Sequence, residues 1–393
     1  MPLNKYILHI CYYFLSFATQ VFTHNIMKHL TLIIFGLIML NSCNHTGLNN
    51  AKLISDNVDS LFTSQYPHNE PGATILIMKN DSVIFSKGYG IADMSTGITT
   101  DENTFYNIAS VSKQFSAIAL LMLAEEGKLS LDDNLKKWFP HFKADFFEKI
   151  TLRHILSHSS GIPDSRNRED REFVLSATDV ESYSYIADLD SLNFEPGDGY
   201  EYMNPTFQLM YSIVEMASGM PFESFMKERV FNPAGMDESL YFEDGRFIPR
   251  MARGYLENKE SGKFEEFDYG EESFFATKAD GGIYTSVMEF VKWENALRNN
   301  VLVSKESLKE AQTPKIDIKD LPGNSYGYGW FIEEREDYPV KVYHTGDNGG
   351  FQIYAARYPE QKILVLIFSN RNDRNREENA HKIDEILKMG GWL

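Results

Sequence analysis

Apolar positions recur along this chain in two rhythms, and each predicts a different kind of element. Ala73 to Met78 is a nearly unbroken apolar run, and Ser82 to Lys87 follows it across Asn80-Asp81, which predicts a β-hairpin. Near the other end, Gln352 to Arg357 and Ile363 to Phe368 repeat the pattern across Pro359-Glu360. Elsewhere the rhythm is helical. Phe115, Ile118, Ala119 and Met122 share one face of a helix beginning at Ser110, and Gly127 after Glu125-Glu126 is its stop signal. Further helices are expected over about Ala51 to Phe62, Phe222 to Val230 and Asn379 to Met389, and helical patterns dominate between Ser112 and Val230. The expected fold is α/β in the α+β sense: an antiparallel sheet built from both chain ends, flanked by helices. A mainly helical subdomain is inserted over approximately residues 112–265. Ser110 would then lie at the seam between subdomains, a usual place for a ligand cleft.

The N-terminus follows another pattern. Met27-Lys28-His29 precedes an apolar run from Leu30 to Leu40 that is short for a membrane span. Leu40-Asn41-Ser42-Cys43 then resembles a bacterial lipoprotein cleavage box, with Cys43 as the lipidated first residue. On this reading residues 1–26 are an upstream extension, 27–43 a signal peptide, 44–53 a polar tether and 54–393 one large domain. An ordinary cleaved signal or an uncleaved anchor are the alternatives. The expected location is the bacterial cell envelope, as a periplasmic lipoprotein whose membrane contact is the lipid alone. Cys11 and Cys43 are the two cysteines, and export leaves neither for a structural disulfide.

The chain of 393 residues is 43% hydrophobic, enough for a large core, and carries a formal net charge of −18. Removing residues 1–43, which hold Lys5, Lys28 and no acids, leaves −20. Nucleic acid and anionic lipid surfaces are therefore poor partners, and a small-molecule or peptide substrate fits better.

Three short motifs stand in order: Ser110-Val-Ser-Lys113, Tyr202-Met-Asn204 and His344-Thr345-Gly346. Helical spacing places Lys113 one turn after Ser110 on the same face, at a helix N-terminus whose positive potential suits an oxyanion. The lysine, as ammonium, favours the serine alkoxide, or as free amine takes its proton. A free tyrosine titrates near pH ~10, so Tyr202 becomes a base only where a cation such as Lys113 lowers it. Asn204 offers an amide to a substrate carbonyl or amide. Taken singly each motif has a bland reading: an N-cap, a core tyrosine, a turn asparagine. The ordered set points to acyl transfer through a covalent serine.

These motifs resemble the serine β-lactamase and penicillin-binding-protein superfamily, in its class C-like branch. That branch includes class C β-lactamases, family VIII carboxylesterases and D-stereospecific peptidases. Thr151-Leu-Arg-His-Ile-Leu-Ser-His158-Ser-Ser-Gly161-Ile-Pro163, Pro196-Gly197, Gly281-Gly282-Ile-Tyr-Thr-Ser286 with Trp293, Tyr328-Gly329-Trp330 and Gly349-Gly350-Phe351 extend the likeness from about Gly72 to Asn370. The resemblance implies a β-lactamase/transpeptidase-like fold with Ser110 as nucleophile, Lys113 as its helper and Tyr202 as the base. It implies substrate contacts from Asn204, His344, Thr345 and Gly346, an oxyanion hole from the backbone N–H groups of Ser110 and Asp347, and no cofactor or metal. Class C β-lactamases have lysine where this chain has His344. A histidine is mostly neutral at pH 7 and would hold a β-lactam carboxylate less firmly, which favours an esterase or D-peptidase.

Other matches lack context. Ser224-Phe-Met-Lys227 has no later tyrosine motif before His344, Ser165-Arg-Asn167 and Ser191-Leu-Asn193 are stray S-x-N matches, and His45-Thr-Gly47 precedes every candidate serine. Gly323-Asn-Ser325-Tyr-Gly327 mimics a nucleophile elbow, but the aromatic run after it predicts a strand instead of a helix. His154 and His158 lack the glutamate of a zinc helix. Three functions stay open: an esterase or D-peptidase, a β-lactamase or penicillin-sensitive carboxypeptidase, and a non-catalytic binding lipoprotein. The loops over Asp164 to Ser191 and Tyr241 to Thr277 carry no readable code for the substrate.

Overall fold

The computed structural model describes residues 49–165, 170, 173, 176–241, 249–267 and 277–393. The chain divides into two units, 1–56 and 57–393. In the first, the described residues 49–56 are helical; the expected signal peptide, Cys43, Cys11 and His45-Thr-Gly47 lie outside the described residues. The second unit opens with helical residues 57–65.

Its centre is an eight-stranded antiparallel sheet. The strands are β1 (Ala73–Lys79), β2 (Ser82–Tyr89), β3 (Ile316–Asp317), β4 (Asn324–Tyr326), β5 (Phe331–Glu333), β6 (Lys341–Asn348), β7 (Phe351–Tyr358) and β8 (Ile363–Ser369). Their order is β3-β4-β5-β6-β7-β8-β1-β2, so the two chain ends meet where β1 pairs β8, with Ile75 opposite Ile367. β8 is buried along its whole length and β1 at all but its last residue. Covered on both faces, they read as continuous apolar runs instead of alternating ones. Asn80, in the left-handed region at φ 56°, makes the β1–β2 turn that its short polar side chain tolerates.

Two helices between the sheet halves bring the motifs together. α1 (Lys113–Glu125) and α2 (Asn204–Ser218) pack against each other. The apolar spacing predicts one buried face for α1, yet 11 of its 13 residues are buried. The reason is its central position: Phe115 stacks on Trp293 at 3.9 Å, and Gln114 accepts the indole N–H of Trp293 at 2.7 Å. α3 (Val287–Arg298) packs on β1 and β8. α4 (Arg376–Met389) begins three residues earlier than its apolar pattern indicates, because the side chain of Asn375 caps it.

Other differences from the sequence reading are local. The segment Phe222–Phe225 is α-helical and then widens into a π-turn over Met226–Phe231. In agreement with that reading, Ser325 lies in strand β4, buried, and forms no nucleophile elbow. Within the loop 241–277, Tyr255–Asn258 and Lys263–Glu266 pair as a hairpin. The charged run Arg371 to Glu378 is partly interior. Arg371 is buried, held by Glu70 at 2.9 Å and Asp373 at 2.5 Å.

Candidate active site

Ser110 sits in a single 3₁₀ turn, Ala109–Ser112, and α1 proper starts at Lys113. The turn is entered through Ala109 in the left-handed region, at φ 46°. A side chain in that conformation is strained by about 1–3 kcal/mol, and the surroundings must hold it there. Asn107 does much of this. It is fully buried; its Oδ1 accepts from the Ala109 N–H at 2.9 Å and from Asn348 Nδ2 at 3.0 Å, and its Nδ2 donates to Gly281 O at 3.2 Å. One side chain thus joins the nucleophile turn, the end of β6 and the segment before α3. No motif in the sequence marks Asn107.

Lys113 is fully buried, and its ammonium donates to Ser110 Oγ at 3.0 Å, Asn204 Oδ1 at 2.8 Å and the Asp280 carbonyl at 2.9 Å. It also lies over the Tyr202 ring, 5.1 Å from its centroid. The expected pairing of Ser110, Lys113 and Asn204 is therefore present. Asn204 is the first residue of α2, and Pro205 follows where a missing N–H costs nothing.

Tyr202 comes in on the extended chain before α2, its ring partly exposed and its hydroxyl buried. That hydroxyl has no hydrogen-bond partner of good geometry among the described residues, although Ser110 is near enough to stabilise its phenolate form. Burial dominates and pushes the phenol well above 10. The cationic lowering expected from Lys113 is outweighed by desolvation, so the free site holds Tyr202 protonated. His158 packs on the Tyr202 ring at 4.3 Å and accepts the Met203 N–H on Nδ1 at 3.1 Å, which fixes where the Tyr202 segment runs. His154, by contrast, caps the helix Leu152–Leu156 through Thr151.

His344 is buried on β6 with both ring nitrogens engaged. Nδ1 lies 2.6 Å from the Thr345 carbonyl and must carry the proton; Nε2, 2.9 Å from the Tyr326 hydroxyl, accepts. Desolvation first, then the positive Lys113, lower its pKa to about 3. It presents no cation at neutral pH. Gly346 has its own reason: a Cβ there would stand 2.5 Å from the Ile108 carbonyl and 3.1 Å from the Ala109 Cβ. Only glycine lets β6 lie against the nucleophile turn. Asp347, next along the strand, reaches Arg376 at 2.5 Å, and Arg376 also donates to the Gly346 carbonyl at 2.7 Å. Ser110 and Asp347 face the same cleft, as an oxyanion hole from their N–H groups requires.

Two cavities meet at Ser110. One, of about 360 Å³, is lined by Tyr200, Tyr202, Phe331, His344, Thr345 and Asp347. The other, of about 540 Å³, runs past Asn204, Gln208 and Asp280, with Phe173, Leu256 and Phe267 from the two unreadable loops along its wall. Gln208, Asp280, Asn107 and Arg376 escape a motif-based reading; Asp280 merely precedes the Gly281-Gly282 pair. Among the described residues no cluster of three or more His, Cys, Asp or Glu is arranged to hold a metal. Ser224 and Ser191 lie away from both cavities' linings, and Asn167 is outside the described residues.

Residues 58–388 match the family model described as Beta-lactamase. Penicillin-binding protein 4* of Bacillus subtilis is 26% identical over 335 residues, covering 82% of this chain and 73% of its own. Protein flp of Staphylococcus aureus is 27% identical over 306 residues; the match covers 77% of this chain but only 60% of that relative's length. Among solved structures, the octameric penicillin-binding protein homologue from Pyrococcus abyssi superposes with a TM-score of 0.75 at 27% identity, covering 85% of this chain and 77% of that one. D-amino acid amidase from Ochrobactrum anthropi SV3 shares the fold, with a TM-score of 0.71 at 21% identity, covering 87% and 99%.

Proposed function

This chain belongs to the β-lactamase family, and from that premise we propose that it is a serine hydrolase cleaving an ester or amide through an acyl-Ser110 intermediate, with esterase- or D-peptidase-like specificity. The observation that carries the reading is the Lys113 nitrogen, held 3.0 Å from Ser110 Oγ and 2.8 Å from Asn204 Oδ1 inside a closed polar pocket. In the reactive state Lys113, as free amine, takes the Ser110 proton while Oγ bonds to the substrate carbonyl carbon. The N–H groups of Ser110 and Asp347 receive the oxyanion. Tyr202, held protonated by burial, gives its proton to the departing oxygen or nitrogen as that bond breaks, and is reprotonated from Lys113. Water then repeats the sequence on the acyl-enzyme. Asn204, Thr345 and the β6 backbone align the substrate.

The neutral, fully engaged His344 favours substrates without a carboxylate at the position a β-lactam presents one. A second reading, a penicillin-sensitive D-alanyl-D-alanine carboxypeptidase or class C-type β-lactamase, draws on relatives named for penicillin binding. A non-catalytic binding protein would have no use for Ser110, Lys113 and Tyr202 together. The deciding measurement is the intact mass of residues 44–393, wild type and Ser110→Ala, after incubation with a fluorophosphonate, a short ester and a penicillin. The expected result is a fluorophosphonate adduct and ester turnover in the wild type alone, with the penicillin left intact. Penicilloyl-Ser110 or drug hydrolysis moves the assignment to the second reading, and inertness towards all three overturns the hydrolase. We further propose envelope anchoring through Cys43, for which the sequence is the support; palmitate incorporation in a bacterial host should vanish in Cys43→Ala.

A further inference from the structure

Two acceptors lining the larger cavity have no donor among the described residues. Asp280 is 7% exposed and Gln208 1%, both line the space beside Ser110, and Asp280 Oδ1 and Gln208 Oε1 have no hydrogen-bond partner among the described residues. Leaving such buried acceptors unpaired is costly, and more so for a charged group. A polar group left this way inside a cavity calls for a ligand that donates.

Asp280 is also firmly built. Its carbonyl accepts from Lys113 at 2.9 Å, the preceding Ala279 carbonyl accepts from Ser116 Oγ at 2.5 Å, and the buried Asp179 carboxyl receives the N–H groups of Lys278 at 2.7 Å and Ala279 at 3.0 Å. Four hydrogen bonds from α1 and from the Asp179 segment therefore fix the backbone from which the Asp280 side chain projects.

Which half of a substrate enters this cavity follows from the proposed proton path, on which this inference rests. The leaving group must reach the Tyr202 hydroxyl, and Tyr202 lines the 360 Å³ cavity and not the 540 Å³ one. The acyl half is left with the larger space. There it meets two bare acceptors close to Ser110 and the apolar side chains of Phe173, Leu256 and Phe267 farther along.

We propose that Asp280, assisted by Gln208, is a specificity-determining subsite for a primary ammonium on the acyl half of the substrate, so that the enzyme acts on α-aminoacyl esters or amides with an apolar side chain. An N-acylated substrate loses the charge and fills the donor position with an amide that cannot satisfy both acceptors. A penicillin, acylated at the equivalent nitrogen, is such a substrate, and a simple fatty acyl ester offers neither charge nor donor.

The test compares three kinds of benzyl ester on residues 44–393: phenylalanine in both enantiomers with the amine free, the same with the amine acetylated, and 3-phenylpropionate. Benzyl alcohol release gives kcat/KM, and intact mass reports acyl-Ser110. The expected result is that one free-amine enantiomer exceeds its acetylated form by tenfold or more, and that this ratio falls to threefold or less in Asp280→Asn. The ratio is internal to each protein, so a general loss of activity in the variant does not mimic the effect; the melting temperature of Asp280→Asn confirms that it is folded. If the acetylated or des-amino ester is the better substrate in the wild type, or the ratio survives in Asp280→Asn, the ammonium subsite is wrong while the hydrolase stands. If no ester acylates Ser110 and a fluorophosphonate leaves it unlabelled, both readings fall together.

Discussion

Two buried lysines in this protein are stabilised in opposite ways. Lys341, on β6 three residues before His344, is neutralised by carboxylates: it pairs with Glu333 and lies 3.2 Å from Asp384, which also binds Arg335 at 2.5 Å and Tyr358. Lys113 hydrogen-bonds three neutral oxygens, those of Ser110, Asn204 and Asp280. Lys341 is thus a structural charge, knitted with Arg335 into one buried ion-pair cluster around Glu333 and Asp384. Lys113 instead stands beside a hydroxyl with a proton to give. The difference teaches what to look for in a buried lysine: the kind of acceptor matters more than the depth of burial.

The sharpest way to break the comparison is to remove each lysine. Lys113→Met should lower turnover by about 10³-fold or more while the fold survives. Equal loss of activity and melting temperature would make it structural too. Lys341→Met should do the reverse, destabilising the protein by about 3 kcal/mol by leaving Arg335 as the one cation for Glu333 and Asp384 among the described residues, with kcat in the surviving folded fraction near wild type. Chemical denaturation with active-site titration separates the two quantities.

Asn107→Ala is expected to fall between them. It strands the Ala109 N–H and releases the left-handed turn, at about 1–3 kcal/mol of stability. Because the nucleophile also moves, kcat should fall by roughly tenfold or more, with KM little changed. A change confined to the melting temperature would remove Asn107 from the site's positioning.

The smallest effect concerns His344. Its folded pKa of about 3 lies below the ordinary value of 6.5, so between those values the unfolded chain binds a proton that the folded one does not. Stability contributed by the neutral ring is complete above the unfolded value and is lost as pH falls from about 6.5 towards 3, at up to ~1.4 kcal/mol per pH unit. His158, also lowered by burial, adds in the same direction. The slope of stability against pH between 6 and 4 should be shallower in His344→Gln than in the wild type. An unchanged slope would mean that His344 is charged in the fold.

Much of the frame was legible in advance because its cause is local. The two end hairpins follow from apolar runs and turn residues, and β1 and β8 pair within the expected ranges. The Ser110, Lys113 and Asn204 contacts follow from helical spacing and ordered motifs. Burial all round α1 was not legible, since four spaced apolar residues describe one face and the sheet and helices around it decide the rest. The anchoring of Arg371 and Arg376 was not legible for the same reason: their carboxylate and carbonyl partners, Glu70 and Gly346 among them, are far away in sequence.

The sequence by itself determined the fold class, the order of the chemical groups and the absence of a permanent cation at residue 344, because these depend on residue type and short-range spacing. Tertiary structure decided the protonation of Tyr202 and His344, the role of Asn107 and the bare acceptors of Asp280 and Gln208. Those depend on desolvation and on which distant atoms fill or fail to fill a hydrogen bond, and both are set only when the chain has closed around them.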